Sequence, residues 1–255
     1  MKLGLIADDT LNANEEYVKL RKIYNFIEDP EQFSKLDVIV ILGGDGFMLH
    51  SLRSLRDINI PFYGINAGTL GFLLNETSDI NIIERINNAK KTKIFPLCAK
   101  VKNHQGVVKE ILAFNEVSLL RETKQSAKIE IQIDGLTKVD SLIGDGVLIA
   151  TPAGSSAYNF SVRGPIIPLG HDLLALTPIS PFRPRGWRGA LLPDNIKVNF
   201  IIHNSEKRPV SAVADYFEFR DVLEVEVVLD KTQSVTLLFD HDNPLEDKLI
   251  TEQFL

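Results

Sequence analysis

The stretch VIVILGGDGFML, residues 38–49, constrains the fold of this chain more than any other. Val38 to Leu42 form an unbroken apolar run, which suits a strand buried on both faces of a parallel sheet. The run enters Gly43, Gly44, Asp45 and Gly46, and a helical apolar pattern follows. A glycine-rich turn between strand and helix favours phosphate, because bare N–H groups and the positive end of the helix dipole attract anions. Asp45 is the anomaly, since a carboxylate repels phosphate. One reading makes it a cap for the following helix; the other gives it a chemical task.

The flanking segments fit the same sheet. KLGLIA and IPFYGIN read as strands, while NEEYVKLRKIYNFIE, FMLHSLRSL and SDINIIERINNA carry helical spacing, the last with Ser78 or Asp79 as N-cap. Strands alternating with helices indicate βαβ units and an open parallel sheet, which binds ligands at the carboxyl ends of its strands. The character changes near residue 93. KIFPLCAKV, EILAFNEVSLL, KIEIQID, GVLIATP, IKVNFIIH, PVSAVA, LEVEVVL and SVTLLFD are strand-like and separated by turn signals. The expected fold is α/β plus β: a Rossmann-like open parallel sheet over 1–92 and a β-sandwich-like domain over 93–230. The tail NPLEDKLITEQFL reads as a helix.

Composition narrows the partners. The net charge of −6 argues against nucleic acid and acidic membranes. Cys98 stands alone, so neither an internal disulfide nor a thiolate metal cluster is expected. No apolar run is long enough to span a bilayer, and a cytoplasmic protein is the default expectation. The Walker loop, the G-x-S-x-G elbow, the H-E-x-x-H zinc motif and the G-x-G-x-x-G dinucleotide fingerprint are all missing.

Two further segments carry chemistry. A second GDG lies at Gly144–Gly146 beside the apolar VLIA, offering a second carboxylate at a strand end. GDGVLIATPAGSSAYNFSVRGPI, residues 144–166, sets small hydroxyl residues among glycines, which suits a polar ligand held against backbone. AFNEVSLL places Asn115 and Glu116 inside an otherwise apolar strand, where a polar pair needs a partner in the fold or in a ligand.

Taken in order, GGDG (43–46), GINAGTLGF (64–72), FNE (114–116) and GDGVLIATPAGSSAYNFS (144–161) resemble the NAD kinases. LALTPISP (174–181) and the late strand ending at Asp215 extend the resemblance through most of the chain. GGDG by itself is shared with phosphofructokinases and diacylglycerol-type lipid kinases, whereas the 144–161 segment is specific to NAD kinases. The resemblance implies phosphoryl transfer from ATP to the 2′-hydroxyl of the adenosine ribose of NAD, giving NADP. It also implies a Rossmann-like and a β-rich domain with NAD bound between them, a final segment from about residue 231 returning to the first domain, and a homodimer or homotetramer.

By the same matching, Gly43, Gly44 and Gly46 would cradle the ATP phosphates. Asp45 would point at the acceptor ribose and take the proton of the attacking hydroxyl. A divalent cation, magnesium by expectation, would arrive with ATP and offset the repulsion between Asp45 and phosphate. Asp45, Gly46, His50, Phe72, Asn115, Glu116, Asp145, Ala153, Ser156, Ala157, Tyr158, Asn159, Phe160 and Ser161 would bind NAD. Glu116, as an ionised acceptor, would take sugar hydroxyls, Asp145 would meet the carboxamide, and Phe72 would pack on adenine. His50 stands one helical turn beyond Asp45, and its other reading is a surface histidine. The chain departs from the family pattern at Arg163, in ADYF (214–217) and in the arginine-rich PFRPRGWRGALLP, where Trp187 suggests an interface anchor. Rival readings are a lipid or sugar kinase of the same superfamily and a non-catalytic dinucleotide sensor.

Overall fold

A computed structural model of the chain describes residues 1–68 and 71–241. The helix read from the tail at 243–255, like Thr69 and Leu70 of the GINAGTLGF segment, lies outside the described residues. The chain forms two units, Met1–Ile94 with the segment from Gln233 onward, and Phe95–Thr232.

The first unit runs β1 (Leu3–Ala7), α1 (Leu11–Ile23), β2 (Phe26–Ile27), β3 (Val38–Gly43), α2 (Asp45–Leu55), β4 (Phe62–Asn66), α3 (Ile82–Asn88) and β5 (Lys90–Ile94). Every residue of β3 is buried. The reason is its place: β1 and β4 flank it in parallel, and apolar side chains leave it on both faces. Val38, Val40 and Leu42 pack with Ala13 and Leu20 of α1 and Ile82 and Ile86 of α3. Met48 of α2 instead closes on Gly64 of β4, where an added Cβ would lie 2.8 Å from the methionine methyl.

Two local expectations change. Helix α1 begins earlier than read, because Thr10 accepts the N–H of Ala13 as N-cap, and it ends at Ile23. Phe26 and Ile27 then form an edge strand beside β1, with Phe26 buried edge-on to Tyr24. Helix α3 is capped by Asn81, which accepts from Ile83 N–H, and not by Ser78 or Asp79.

The second unit contains β6 (Leu97–Asn103), β7 (Val108–Ala113), β8 (Glu116–Arg121), β9 (Ala127–Ile133), β10 (Leu136–Gly144), β11 (Gly146–Ala150), the short helix α4 (Tyr158–Ser161), β12 (Leu173–Ile179), β13 (Ala190–Pro193), β14 (Val198–Ile202), β15 (Val210–Ala214), β16 (Phe217–Phe219) and β17 (Val222–Leu229). They build two antiparallel sheets, in the orders β10-β9-β14-β17-β6-β7 and β13-β12-β11-β8-β15-β16. One apolar core, including Val101, Ile131 and Phe200 from the first sheet and Leu119, Ile149 and Leu176 from the second, fills the space between them. That is the sandwich expected. Strand β10 was not legible, because register shifts at Thr137, Val139 and Leu142 interrupt its alternation.

The chain then forms β18 (Val235–Phe239) in the sheet of the first unit, whose order is β2-β1-β3-β4-β18-β5. Just past β18, Asp240 accepts from Tyr63 and from Arg85 of α3, both largely buried, which fastens the returning strand to that sheet.

Candidate nucleotide site

The glycine turn is built as the sequence suggests, with one surprise. Strand β3 ends at Gly43, Gly44 is the N-cap in extended conformation, and α2 starts at Asp45. No side chain caps this helix, and its first-turn N–H groups have no partners within the helix itself. A Cβ added at Gly44 or Gly46 would meet no described residue within 4 Å, and neither glycine has a positive φ. Packing among the described residues therefore gives no reason for glycine at these two positions. Close approach of a ligand to the backbone does.

Asp45 does not cap α2, and its carboxylate is not aimed solely at a ligand. Oδ2 accepts the N–H of Phe72 at 2.8 Å and Oδ1 that of Leu73 at 2.9 Å. This corrects the reading of Asp45 as a helix cap. Two successive amides converge on one carboxylate, and charge-assisted bonds of that kind are about twice as strong as neutral ones. Further links join the same parts: Ala67 donates to the Gly43 carbonyl and Gly68 to the Asn66 side chain. Beside this turn a polar cavity of about 470 Å³ is lined by Asn12, Glu15 and Lys19 of α1, Asn66 at the end of β4, Gly68 after it, and Ser78.

His50 lies exposed on α2. It follows Asp45 by five residues, or roughly 140° around the helix axis beyond a full turn, so the two side chains do not share a face.

In the second unit Asn115 and Glu116 are not inside one strand. They sit where the chain leaves β7 in one sheet and enters β8 in the other. The ladder breaks because Asp215 takes the N–H groups of Phe114 and Asn115, each at 2.9 Å. Asp215 was noted in the sequence only as a strand end. Both side chains of the pair are buried, yet Asn115 Oδ1 and Glu116 Oε2 have no hydrogen-bond partner among the described residues. Burial, reinforced by the charge of Asp215, pushes the Glu116 carboxyl up to about 8. The shift favours the neutral acid, which can donate as well as accept, over the ionised acceptor expected.

The segment after β11 divides into two sets. Thr151, Ser155 and Asn159 face inward and serve the fold. Thr151 Oγ1 donates to the Phe114 carbonyl and accepts from Gly154. Ser155 bonds both the carbonyl and the N–H of Ile167. Asn159 is fully buried, donates to the Ser155 and Pro165 carbonyls and accepts from Thr177. Its expected contact with NAD is thus corrected, because every polar atom of the side chain is already engaged. Gly154 is glycine for packing: an added Cβ would lie 2.2 Å from the Asn115 carbonyl oxygen. Ser156, Ala157, Tyr158 and Phe160 remain partly exposed, Ser161 is exposed and Ala153 is buried.

The Tyr158 phenol is pushed up, first by burial and then by the nearby Glu116 and Asp145, which puts these three groups in one neighbourhood. Asp145 is not in a simple turn. It is the bend where β10 passes into β11 of the other sheet, and it pairs with Arg121, 2.5 Å from Nε to Oδ1. Arg121 was not singled out from the sequence, and a lone arginine at a strand end gives no signal there. Gly146 beside it would place a Cβ 1.9 Å from the Leu119 carbonyl oxygen, so this glycine serves strand packing. Trp187 packs against the core of its own unit, which removes the composition argument for an interface anchor, while Arg183, Arg185 and Arg188 are exposed.

The sequence pattern of the ATP-NAD kinase N-terminal domain matches residues 8–91, and that of the ATP-NAD kinase C-terminal domain matches residues 114–241. The NAD kinase of Rhizorhabdus wittichii is 46% identical over 255 residues, covering 99% of this chain and 98% of that protein. The NAD kinase of Caulobacter vibrioides is 48% identical over 253 residues, covering 99% and 96%. Among solved structures, yeast NADH kinase complexed with NADH aligns with a TM-score of 0.80 at 22% identity, over 99% of this chain and 86% of that one. An NAD kinase from Archaeoglobus fulgidus in complex with ATP aligns with a TM-score of 0.74 at 22% identity, over 95% of each chain. These two share the fold.

Proposed function

This chain belongs to the NAD kinase family and phosphorylates NAD to NADP, and we propose that the glycine turn and the 114–161 segment divide that reaction between them. The observation that carries the proposal is the buried pair Asn115 and Glu116, two adjacent residues whose Oδ1 and Oε2 both lack partners among the described residues. A ribose of NAD supplies the missing donors and acceptors. Partly exposed Ser156, Ala157, Tyr158 and Phe160, with Ala153 and Ser161, line the dinucleotide, and Asp145 is held for its carboxamide by Arg121.

In the first unit the backbone at Gly43, Gly44 and Gly46 takes the phosphates of ATP at the start of α2. Phe72, whose N–H is held by Asp45, offers its ring to adenine. Asp45 accepts the 2′-hydroxyl, whose proton must leave as oxygen attacks the γ-phosphorus. Phosphoryl transfer asks for positioning and charge stabilisation more than for covalent chemistry from the protein, and a carboxylate already clamped by two amides is well positioned. His50 is the weakest member of this set, given its place on α2. Among the described residues no three of His, Cys, Asp or Glu converge as a metal cage. A divalent cation such as magnesium is proposed to enter as part of the ATP substrate.

The direct test is incubation with NAD and ATP with and without magnesium, NADP being read by a coupled dehydrogenase. Product should require the cation and be lost on chelation. No product with any phosphoryl donor would leave only dinucleotide binding. No described helix is long and apolar enough to cross a membrane, and the cytoplasm is the proposed location. A homodimer or homotetramer is proposed on family grounds; sedimentation of an active species near 28.5 kDa alone would refute it.

A further inference from the structure

We propose that Asp215 is a positioning residue of the NAD site: its carboxylate gathers the N–H groups of Phe114 and Asn115 and thereby presents the Asn115 and Glu116 side chains to the dinucleotide. This rests on the reading that Asn115 and Glu116 hold NAD.

The argument begins with backbone accounting. Between Ala113 and Glu116 the chain crosses from one sheet to the other. Buried N–H and C=O groups at such a break need other partners. Asp215 Oδ2 and Oδ1 take the two amides at 2.9 Å, and the Asp215 N–H donates to the Glu116 carbonyl at 3.2 Å. Thr151 takes the other side: its hydroxyl donates to the Phe114 carbonyl at 2.6 Å and its N–H to the Asn115 carbonyl at 2.9 Å. Five main-chain groups of residues 114–116 are therefore fastened, three of them by Asp215. The side chains of the same residues carry the bare Asn115 Oδ1 and Glu116 Oε2. A fixed backbone under unpartnered polar atoms is a preorganised binding pair.

Asp215 also reaches this geometry at some conformational cost. Its φ is +52°, a left-handed conformation that Asp and Asn tolerate better than other side chains. The residue stands at the turn from β15 to β16, about a hundred positions from the amides it holds. Its charge has a second effect. Burial first, and then this charge, push the Glu116 carboxyl up, which favours the protonated form and a donor for NAD. Among the described residues the Tyr158 phenol also lies near Glu116, and Asp145, paired with Arg121, lies near Tyr158.

Asp215→Asn tests this. Asparagine tolerates the same φ, but its single carbonyl oxygen replaces two charged acceptors, and its amide nitrogen faces an N–H. The KM for NAD should rise about tenfold or more, with the KM for ATP within about twofold. The transition assigned to Glu116 in the pH profile of kcat/KM for NAD should move to lower pH, since the neighbouring charge is gone. A purely architectural role would lower thermal stability and weaken both substrates alike without moving that transition, and this outcome overturns the proposal. So does an unchanged KM for NAD when Asn115→Ala raises it; if Asn115→Ala has no effect either, the reading of the pair as the NAD site has failed instead. Should Asp215→Asn not fold, amide exchange in the unaltered protein decides. Phe114 and Asn115 N–H must be strongly protected before NAD is added, and exchange at loop rates overturns the assignment.

Discussion

Replacing Glu116 by glutamine should make the protein more stable at alkaline pH than at acidic pH, relative to the unaltered chain. Glu116 is buried beside Asp215, and its carboxyl moves from an ordinary 4.5 to about 8 in the fold. A carboxyl with a raised folded pKa contributes stability that is fully present below about pH 4.5 and is lost as pH climbs through about 8. Each pKa unit is worth 1.36 kcal/mol, so the whole window spans on the order of 3–5 kcal/mol, the lower end allowing for relaxation around the charge. Glutamine has the same shape and cannot ionise. Urea unfolding of both proteins at intervals from pH 4.5 to 9 should show the stability difference growing in favour of Glu116→Gln and levelling off above about 8. At pH 6, where Glu116 is still protonated, the substitution exchanges one neutral hydrogen-bonding group for another, so the KM for NAD should change by less than about tenfold. A stability difference that is flat with pH refutes the argument, because it would mean Glu116 is ionised at neutral pH and already has its partner.

Asp45→Asn should lower turnover by about 10²–10⁴ if Asp45 takes the hydroxyl proton, and it should also lower stability by about 1–3 kcal/mol by unseating the amides of Phe72 and Leu73; stopped assays beside thermal melts separate the two, and normal turnover refutes the chemical role. Gly46→Ala should leave stability equal or raise it by up to about 1 kcal/mol, since alanine favours helix and its Cβ meets no atom of the described residues within 4 Å. The same variant should raise the KM for ATP about tenfold by crowding the phosphates, and unaltered ATP kinetics would remove the turn from the donor site. Gly154→Ala should cost more than about 2 kcal/mol in chemical denaturation, because its Cβ would lie 2.2 Å from the Asn115 carbonyl oxygen; a smaller cost would show that the loop can shift away.

What could be read from the residues in order was local and periodic. Five apolar residues ending in a glycine turn specify a central parallel strand with a helix behind it, because strand burial and helix dipole act over a few positions. The alternating KIEIQI specifies a sheet with one solvated face for the same reason, and the ordered motifs carried the family. The structure alone decided how side chains divide between fold and ligand. Asp45 meets Phe72 and Leu73 from 27 and 28 positions away, and Asp215 meets Phe114 and Asn115 from 101 and 100. Neither pairing leaves a trace in spacing. Asn159 and Ser156 look equally suited to a sugar, yet one is locked between Ser155, Pro165 and Thr177 while the other stays partly exposed. Gly46 and Gly146 stand in the same GDG triplet, but one opens onto empty space and the other is pressed against the Leu119 carbonyl. Hydrogen-bond satisfaction and close packing are set by what the rest of the chain brings alongside, and for these residues that comes from other strands and loops.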